Sequence, residues 1–551
     1  MRALQEQQRL GMNPRPGGLP EWVEMWGVDS FRKTGYVLAG LSAASVPLAL
    51  GGHIAELLPV LLTGTTAGYW ALGLKDIGQK SHTLRRNFPV MIHFRYLLEG
   101  IRPEIQQYLI EDEQKMMKIG ADTHALGTRR DVYSPGYEWA GHSMFPEPMC
   151  DLDEARVLVG GPACKQPYSA ALLNISAMSY GSLSGSAALN LGAKKGGFYH
   201  NTGEGGISKY HLLGADVVWN VGTGYFACGK NVEPPAFKGQ REFDPELFAK
   251  NATRQPPPAP FDTNCLPTST PPPQAAPSET HLTPPPSARP RRRPEIKMIE
   301  IKLSQGAKPS HGGILPANKI TPVIADARGL GPPPWSGCSS PPVMPRFKMC
   351  VGRPEEFAAL CHAMIDSGTV PDFITIDGGE GGTGAAPAEF QDSLGMPARD
   401  GLRFINSMLI GCNLRDQVKL IVAGKALKCN SNHCPTGITT QQPHLESGLD
   451  VGTKALRVAN YQEATVHSAL EIIGALGCKS PKEVTSDMIY RRSATNGGYG
   501  VENYADLQAE AYFAKLPEGA LVDPAKKDQL PPQYVGWWEK GGEIYKKAGT
   551  A

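Results

Sequence analysis

Seven short β-rich runs, with glycine, serine or asparagine at or near their ends and helix-compatible sequence after them, most constrain how this chain can fold. They are 171–179 (ALLNISAMS), 197–203 (GFYHNTG), 217–225 (VVWNVGTGY), 297–305 (KMIEIKLSQ), 346–352 (RFKMCVG), 372–378 (DFITIDG) and 419–425 (KLIVAGK). Such alternation specifies parallel strands joined by helices. Polar, glycine-rich ends after apolar strands fit a parallel barrel, whose ligand site is built at the carboxyl ends of its strands. A doubly wound sheet is the alternative, but no clean dinucleotide fingerprint opens the first βα unit.

With 551 residues, the chain has room for one large domain with appendages or for three modest ones. Its 55 Lys plus Arg balance 53 Asp plus Glu, which gives no uniform field to attract nucleic acid, and no nucleic-acid partner is expected. The 11 cysteines are scattered rather than arranged as a dense framework, which favours reduced thiols.

Ahead of the alternating region, 37–50 and 54–74 are apolar runs separated by Gly51, Gly52 and His53, a pattern suited to a membrane hairpin. A span needs about 20 apolar residues, so the first run must recruit its flanks, and Pro47, Glu56 and Pro59 interrupt the pair. Arg32 and Lys33 precede it, and Lys75, Lys80, Arg85 and Arg86 follow it. That distribution places both ends, and the body of the protein, on the cytoplasmic-type side of a membrane. A buried helical pair is the bland reading.

Residues 255–294 are rich in proline, with too few apolar residues to form a core, and read as a disordered insertion without a catalytic role. The expected organisation is an N-terminal extension (1–34), the hairpin (35–75), a helical or irregular lead-in (76–168), the barrel (169–440) and a C-terminal helical segment with a polar tail (441–551).

Four glycine-rich segments fall at strand ends: 176–184, 201–206, 305–313 and 377–387. Glycine lets backbone approach a flat or phosphorylated ligand, and successive amides can donate to anionic oxygens. Any one of them could be a tight turn; their recurrence at one end of successive strands suggests a cofactor cradle. Lys302, Lys308 and Lys348 sit at or just after strand ends, where a fixed cation can hold a reduced flavin's charge or a carboxylate. Gln305 offers a donor and an acceptor, while Glu204 offers an acceptor for an amino or imino group. Cys429 and Cys434 form a C-x4-C pair, which is too few thiolates for a cluster; spacing alone leaves buried structural thiols as the simpler reading.

DIGQKSHTLRRNFPV, RYLLEGIRPEIQQYLIEDE, SAMSYGSLS, NTGEGG, EIKLSQGAKPSHGG, DGGEGGTGAAP and CNSNHCPTG occur in that order between Asp76 and Tyr504. The ordered set resembles the FMN-binding glutamate synthase family, in its single-chain membrane-associated branch. The resemblance implies a (β/α)8 TIM-type barrel carrying FMN and a [3Fe–4S] cluster. It also implies reductive chemistry on a 2-imino acid formed from 2-oxoglutarate and ammonia, with glutamate as product. By the same resemblance Ala177, Met178, Ser179, Asn201 and Thr202 face the flavin, and Lys348 lies near the polar edge of its ring. Glu204, Gln305 and Lys308 hold the oxoacid or imine. Gly381, Gly382, Thr383 and Gly384 shape the loop above the flavin.

Three departures from the family pattern stand out. Ala423 occupies the position of the family's third cluster cysteine, six residues before Cys429, which puts the iron–sulfur cluster in question. Lys425 passes directly to Ala426, Leu427 and Lys428, omitting the eighth strand and a phosphate-binding segment, so the barrel is expected to be incomplete there. A helical segment is missing between Pro342 and Arg346, and 255–294 is added; together these resemble an exon-skipped, intron-retaining gene model. The expected function is an FMN-dependent glutamate synthase-type oxidoreductase. Electrons would come from a donor protein or reductase, and ammonia from solution or a glutaminase partner, because Met1 is not followed by a nucleophilic cysteine. The alternatives are a related flavin enzyme acting on another amine or oxoacid, and an inactive chain.

Overall fold

The computed structural model describes residues 26–52, 57–105, 136–161, 164, 166–180, 185–222, 225–231, 241–248, 295–303, 322, 324, 348–380, 394–423, 434–495, 498–503 and 513–549. The chain divides into two compact units, Met1–Tyr137 with Ser431–Thr453, and Glu138–Asn430 with Lys454–Ala551. The proline-rich insertion lies outside the described residues.

In the first unit, helices α1 (Val28–Leu50) and α2 (Leu57–Gly78) form an antiparallel pair. Phe31 meets Tyr69 and Trp70, while Ser42 Oγ lies 2.8 Å from Thr66 Oγ1 nearer the turn. Small residues allow the close approach: a Cβ at Gly73 would run into the Phe31 ring, and one at Gly35 into Trp70. The outward faces carry exposed Val37, Leu41, Val60 and Leu61. Leu57–Gly78 is long and apolar enough to cross a membrane, and little of it is buried in the protein. Helix α1 starts earlier than the apolar run that announced it, because its first turns use aromatic and glycine contacts rather than continuous hydrophobicity.

Beyond α2, Asp76 accepts hydrogen bonds from the Val90 amide (3.1 Å) and pairs with His93 Nε2 (2.9 Å). Asn87 Nδ2 donates to the carbonyls of Pro435 (2.8 Å) and Leu445 (3.0 Å). Arg86 donates to Gly448 O, so the lead-in segment clamps the loop that carries Cys434.

In the second unit the predicted parallel strands occur in chain order. A hairpin of β1 (Val157–Val159) and β2 (Tyr168–Ala170) comes first. Ile175 then bridges His200 in parallel, beside β3 (His200–Asn201), β4 (Val217–Val221) and β5 (Ile296–Ile301). A parallel bridge from Lys302 to Lys348 continues the series to β6 (Lys348–Met349), β7 (Phe373–Asp377) and β8 (Lys419–Ala423). Among the described residues no pairing joins Lys419–Ala423 back to Ala171–Ser179.

The sheet is nevertheless curled. Tyr199, Val218, Met298, Phe373 and Ile421 come from strands that are not all neighbours, yet they share one apolar cluster with Val159, Tyr168 and Ala170 of the hairpin. Side chains alternate along a strand. Val218 and Asn220 therefore point inward, while Trp219 points outward and stacks on Phe248 at 4.9 Å. Helices Pro354–Ser367 and Ala398–Gly411 cover the outside of β7, where Ile374 and Ile376 are buried against Phe357, Phe404 and Met408.

The C-terminal stretch has more structure than a helix and polar tail. After Val451–Ala475, Ile489–Thr495 pairs with both Glu138–Ala140 and Gly498–Asn503. Pro532–Gly549 then forms a helix whose Tyr534 joins the core around Phe404. Tyr534 is fully buried, and that packing, rather than hydrophobic run length, fixes the terminal helix.

Candidate functional site

Above the apolar floor the sheet interior becomes polar. Asn201 on β3 donates through Nδ2 to Glu300 Oε1 (3.0 Å), and Asn220 Nδ2 on β4 donates to the same oxygen. Thr375 Oγ1 on β7 donates to Glu300 Oε2 at 2.7 Å. All four residues are buried. Buried polar groups need such partners, since an unmade bond costs their desolvation. Asn220 Oδ1 is a buried acceptor with no partner among the described residues.

One step further along the strands lies a charged layer. Lys302 Nζ is 2.9 Å from Glu204 Oε2, and Lys348 Nζ is 3.8 Å from Asp377 Oδ2. The Lys302 and Lys348 side chains are only 10% and 8% exposed, so these ammonium groups are held inside the protein at strand ends rather than trailing in solvent. The backbone sets their neighbourhood, because Leu303 N donates to Lys348 O (2.7 Å).

The turn after β3 connects the two layers. Gly203 N donates to Asn201 Oδ1 (3.0 Å), and Thr202 Oγ1 accepts from Asn220 N (3.0 Å). Gly203 has φ of +63°, and a Cβ there would strike the Met178 and Ser179 backbone. Glycine is thus required twice over, for its conformation and for its lack of a side chain. The consequence is that 177–179 and 201–203, expected separately to face a flavin, pack directly on one another. Gly222 plays a related part, since a Cβ there would run into Glu204.

The backbone of Met178 and Ser179, with Asn201, Thr202, Glu204 and Lys348, therefore lies at one end of the curled sheet beside Lys302 and Asp377, while the Met178 side chain packs against Ile175, Ala193, Phe198 and Ala215. Asp377 escaped sequence reasoning, although its place at the end of FITID beside the glycine-rich run was a usable signal. Gln305, Lys308, Gly381, Gly382, Thr383, Gly384 and Cys429 lie outside the described residues.

The described part of the site fits a flavin. Lys302 and Lys348 supply positive charge, and Gly203 brings backbone within reach of the 177–179 segment, while the buried Asn201 and Thr202 side chains hold the turn between them. Cys350 is no competing nucleophile: burial, then Asp377, pushes its thiol up to about 11.

The cysteine motif is different. Burial would raise the Cys434 thiol, but hydrogen bonds from the side chains and backbone of Thr436 and Thr439 outweigh it and bring the thiol down to about 7. Ala423, in the place of the third cysteine, is buried on β8 in register with Asp377 and has no sulfur to offer. Among the described residues no group of three His, Cys, Asp or Glu side chains is placed to hold a metal ion. The donors among the described residues do not make up a cluster site.

The model of the conserved region in glutamate synthase matches residues 163–362, 346–429 and 425–479. The segments meet beside Arg346 and at Lys425, two of the places where the sequence departs from the pattern. The glutamate synthase large subunit-like protein YerD of Bacillus subtilis (strain 168) is 28% identical over 78% of this chain and 94% of its own length. The archaeal glutamate synthase [NADPH] of Methanocaldococcus jannaschii is 28% identical over 33% of this chain and 46% of its own length. A ferredoxin-dependent glutamate synthase of Pyropia yezoensis is 29% identical over 34% of this chain, which spans 15% of that larger protein. The matched region runs through the curled sheet and the layers of Glu300, Lys302 and Lys348, and the chain belongs to the glutamate synthase family of oxidoreductases.

Proposed function

We propose that this protein is an FMN-dependent glutamate synthase-type oxidoreductase that forms glutamate from 2-oxoglutarate and ammonia through a 2-imino acid. The observation that carries the reading is the buried charged layer of Glu204, Lys302, Lys348 and Asp377 at the carboxyl ends of parallel strands. Bound FMN supplies hydride chemistry at the imine carbon. Lys348 and Lys302 stabilise negative charge at the ring edge and on the substrate, and do so strongly because they are shielded from water. Glu204 Oε2, already held by Lys302, is the acceptor for the N–H of an imine or amine. Gln305 and Lys308 bind the oxoacid carboxylates. Fixing the acceptor and cations in advance lowers the entropic part of the barrier.

Electrons come from an external donor of the NADPH or ferredoxin kind, and ammonia from solution or a glutaminase partner. The α1–α2 pair anchors the chain in a membrane, with the body on the cytoplasmic-type side; the exposed apolar faces and basic flanks support this.

A second reading, a chain that keeps the scaffold without the chemistry, draws on the break in the family match at Lys425. The absorption spectrum of purified protein separates the two. Visible flavin bands, bleached by dithionite, with glutamate formed from 2-oxoglutarate and ammonium, are the expected result. Colourless protein that takes up no added FMN overturns the enzymatic reading.

A further inference from the structure

We infer that Glu300 is a positioning residue for the flavin-facing turn, an inference that rests on the flavin reading above. Its carboxylate lies one layer below that turn and touches neither Glu204 nor the lysine ends in any described contact. It receives three hydrogen bonds from three other strands: Asn201 and Asn220 on Oε1, and Thr375 on Oε2. Two of these donors control the turn. Asn201, fixed through Nδ2, turns its Oδ1 to the Gly203 amide, and Asn220 sends its backbone N–H to Thr202 Oγ1. Glu300 is in register with Asn220, so one side chain sets both supports of residues 201–203 from the neighbouring strand. Thr375 makes no described contact with the turn; it donates to the other carboxylate oxygen, which neither asparagine uses. In a buried network fully connected at its centre, moving the common acceptor moves every donor.

The geometry distinguishes length from charge. Glutamine keeps the length: its Oε1 can accept from both asparagines, while its Nε2 faces Thr375, whose hydroxyl rotates to accept. Aspartate keeps the charge but withdraws the acceptor by one methylene, out of reach of both asparagines.

The test uses the full chain as wild type, Glu300→Gln, Glu300→Asp and Thr375→Val. It measures amide hydrogen exchange over the peptide 199–206, without and with added FMN, together with FMN retention on gel filtration. Glu300→Asp is expected to speed exchange in 199–206 at least 10-fold and to weaken FMN retention about 10-fold. Glu300→Gln stays within about 3-fold on both readouts, and Thr375→Val leaves the peptide protected even where it lowers the melting temperature. The inference is overturned if Glu300→Asp leaves 199–206 as protected as wild type, if Glu300→Gln opens it as much as aspartate does, or if Thr375→Val opens it equally. Should wild type bind no FMN, the proposed function fails, while the exchange comparison without FMN still decides the role of Glu300.

Discussion

Replacing Lys302 by methionine isolates the contribution of its pair with Glu204. Methionine preserves most of the stem and deprives Glu204 of a cation 2.9 Å away, in a setting where the two side chains are 10% and 17% exposed. At an effective dielectric of about 20 the gross attraction over that distance is about 6 kcal/mol. Much of it is offset by desolvation of both ions, and stranding one member of a buried pair typically costs 3–5 kcal/mol. Because water retains some access to Glu204, the lower end, about 3 kcal/mol, is expected for Lys302→Met. Glu204→Gln leaves the ammonium a neutral acceptor and costs about 2 kcal/mol.

Independent losses would add to about 5 kcal/mol, whereas removing both charges should cost about 3, a coupling of about 2 kcal/mol. A chain with two units need not unfold in one step. The measurement is therefore local: hydrogen exchange of peptides covering 217–222 and 296–303 as a function of urea, for wild type, both single variants and the double variant. Additivity within about 0.5 kcal/mol would show that the pair contributes nothing as a pair, and the charged layer would lose its claim to be preorganised.

Other perturbations test neighbouring parts of the structure. Gly203→Ala places a Cβ at positive φ, worth about 1–2 kcal/mol by itself, and against the Met178 and Ser179 backbone; FMN retention should fall by 10-fold or more, and retention equal to wild type would contradict the observed packing. Burial pushes the His211 imidazole down to about 3, and burial with His211 nearby pushes His200 down too. Folded-state pKa values below the ordinary 6.5 mean that stability is intact above that pH and is lost as pH falls through 6.5 towards 3. At pH 5 His211 alone should cost about 2 kcal/mol by linkage, with His200 adding in the same direction. A urea titration showing no loss between pH 7 and 5, or no relief in His211→Gln, would refute this. Finally, Leu61→Arg puts a charge on the exposed face of α2 at a cost of about 3 kcal/mol if that face meets lipid. It should move protein from the carbonate-resistant pellet to the supernatant, and an unchanged pellet fraction would argue against insertion.

The strands were legible because their outward residues are apolar and their ends are marked by polar or glycine-rich sequence. Val217, Trp219 and Val221 on one face and the glycines after them announced β4 without any partner in view. The polar layer was not legible in the same way. Asn220 and Thr375 interrupt their strands with polar side chains, and Glu300 looked like the first letter of a motif rather than its structural centre. Only the register, which sets Asn220 opposite Glu300, turns these interruptions into a network. Period-two spacing of polar residues within otherwise apolar strands was the available signal. The hairpin of Val157–Val159 and Tyr168–Ala170 was missed for another reason: three-residue strands are too short to show alternation, and they matter through the cluster they plug.

Strand β8 ends just before Lys425, where two segments of the family match meet. Its inward residue Ile421 packs into the apolar floor with Phe373 and Val218, so the inside of the sheet is supported on this side. Its outward neighbour Val422 is 47% exposed, whereas Ile374 and Ile376 on the adjacent strand are buried beneath two helices. Val422 lies three residues before that junction at Lys425. Among the described contacts, the Glu300 network draws on Asn201, Asn220 and Thr375, and the two lysines pair with Glu204 and Asp377, all of which precede Lys425 in the chain. Under the proposed function, recognition of the flavin ring and recognition of its phosphate would fall on separate parts of the chain. A protein that binds riboflavin as well as FMN would have kept the first and lost the second.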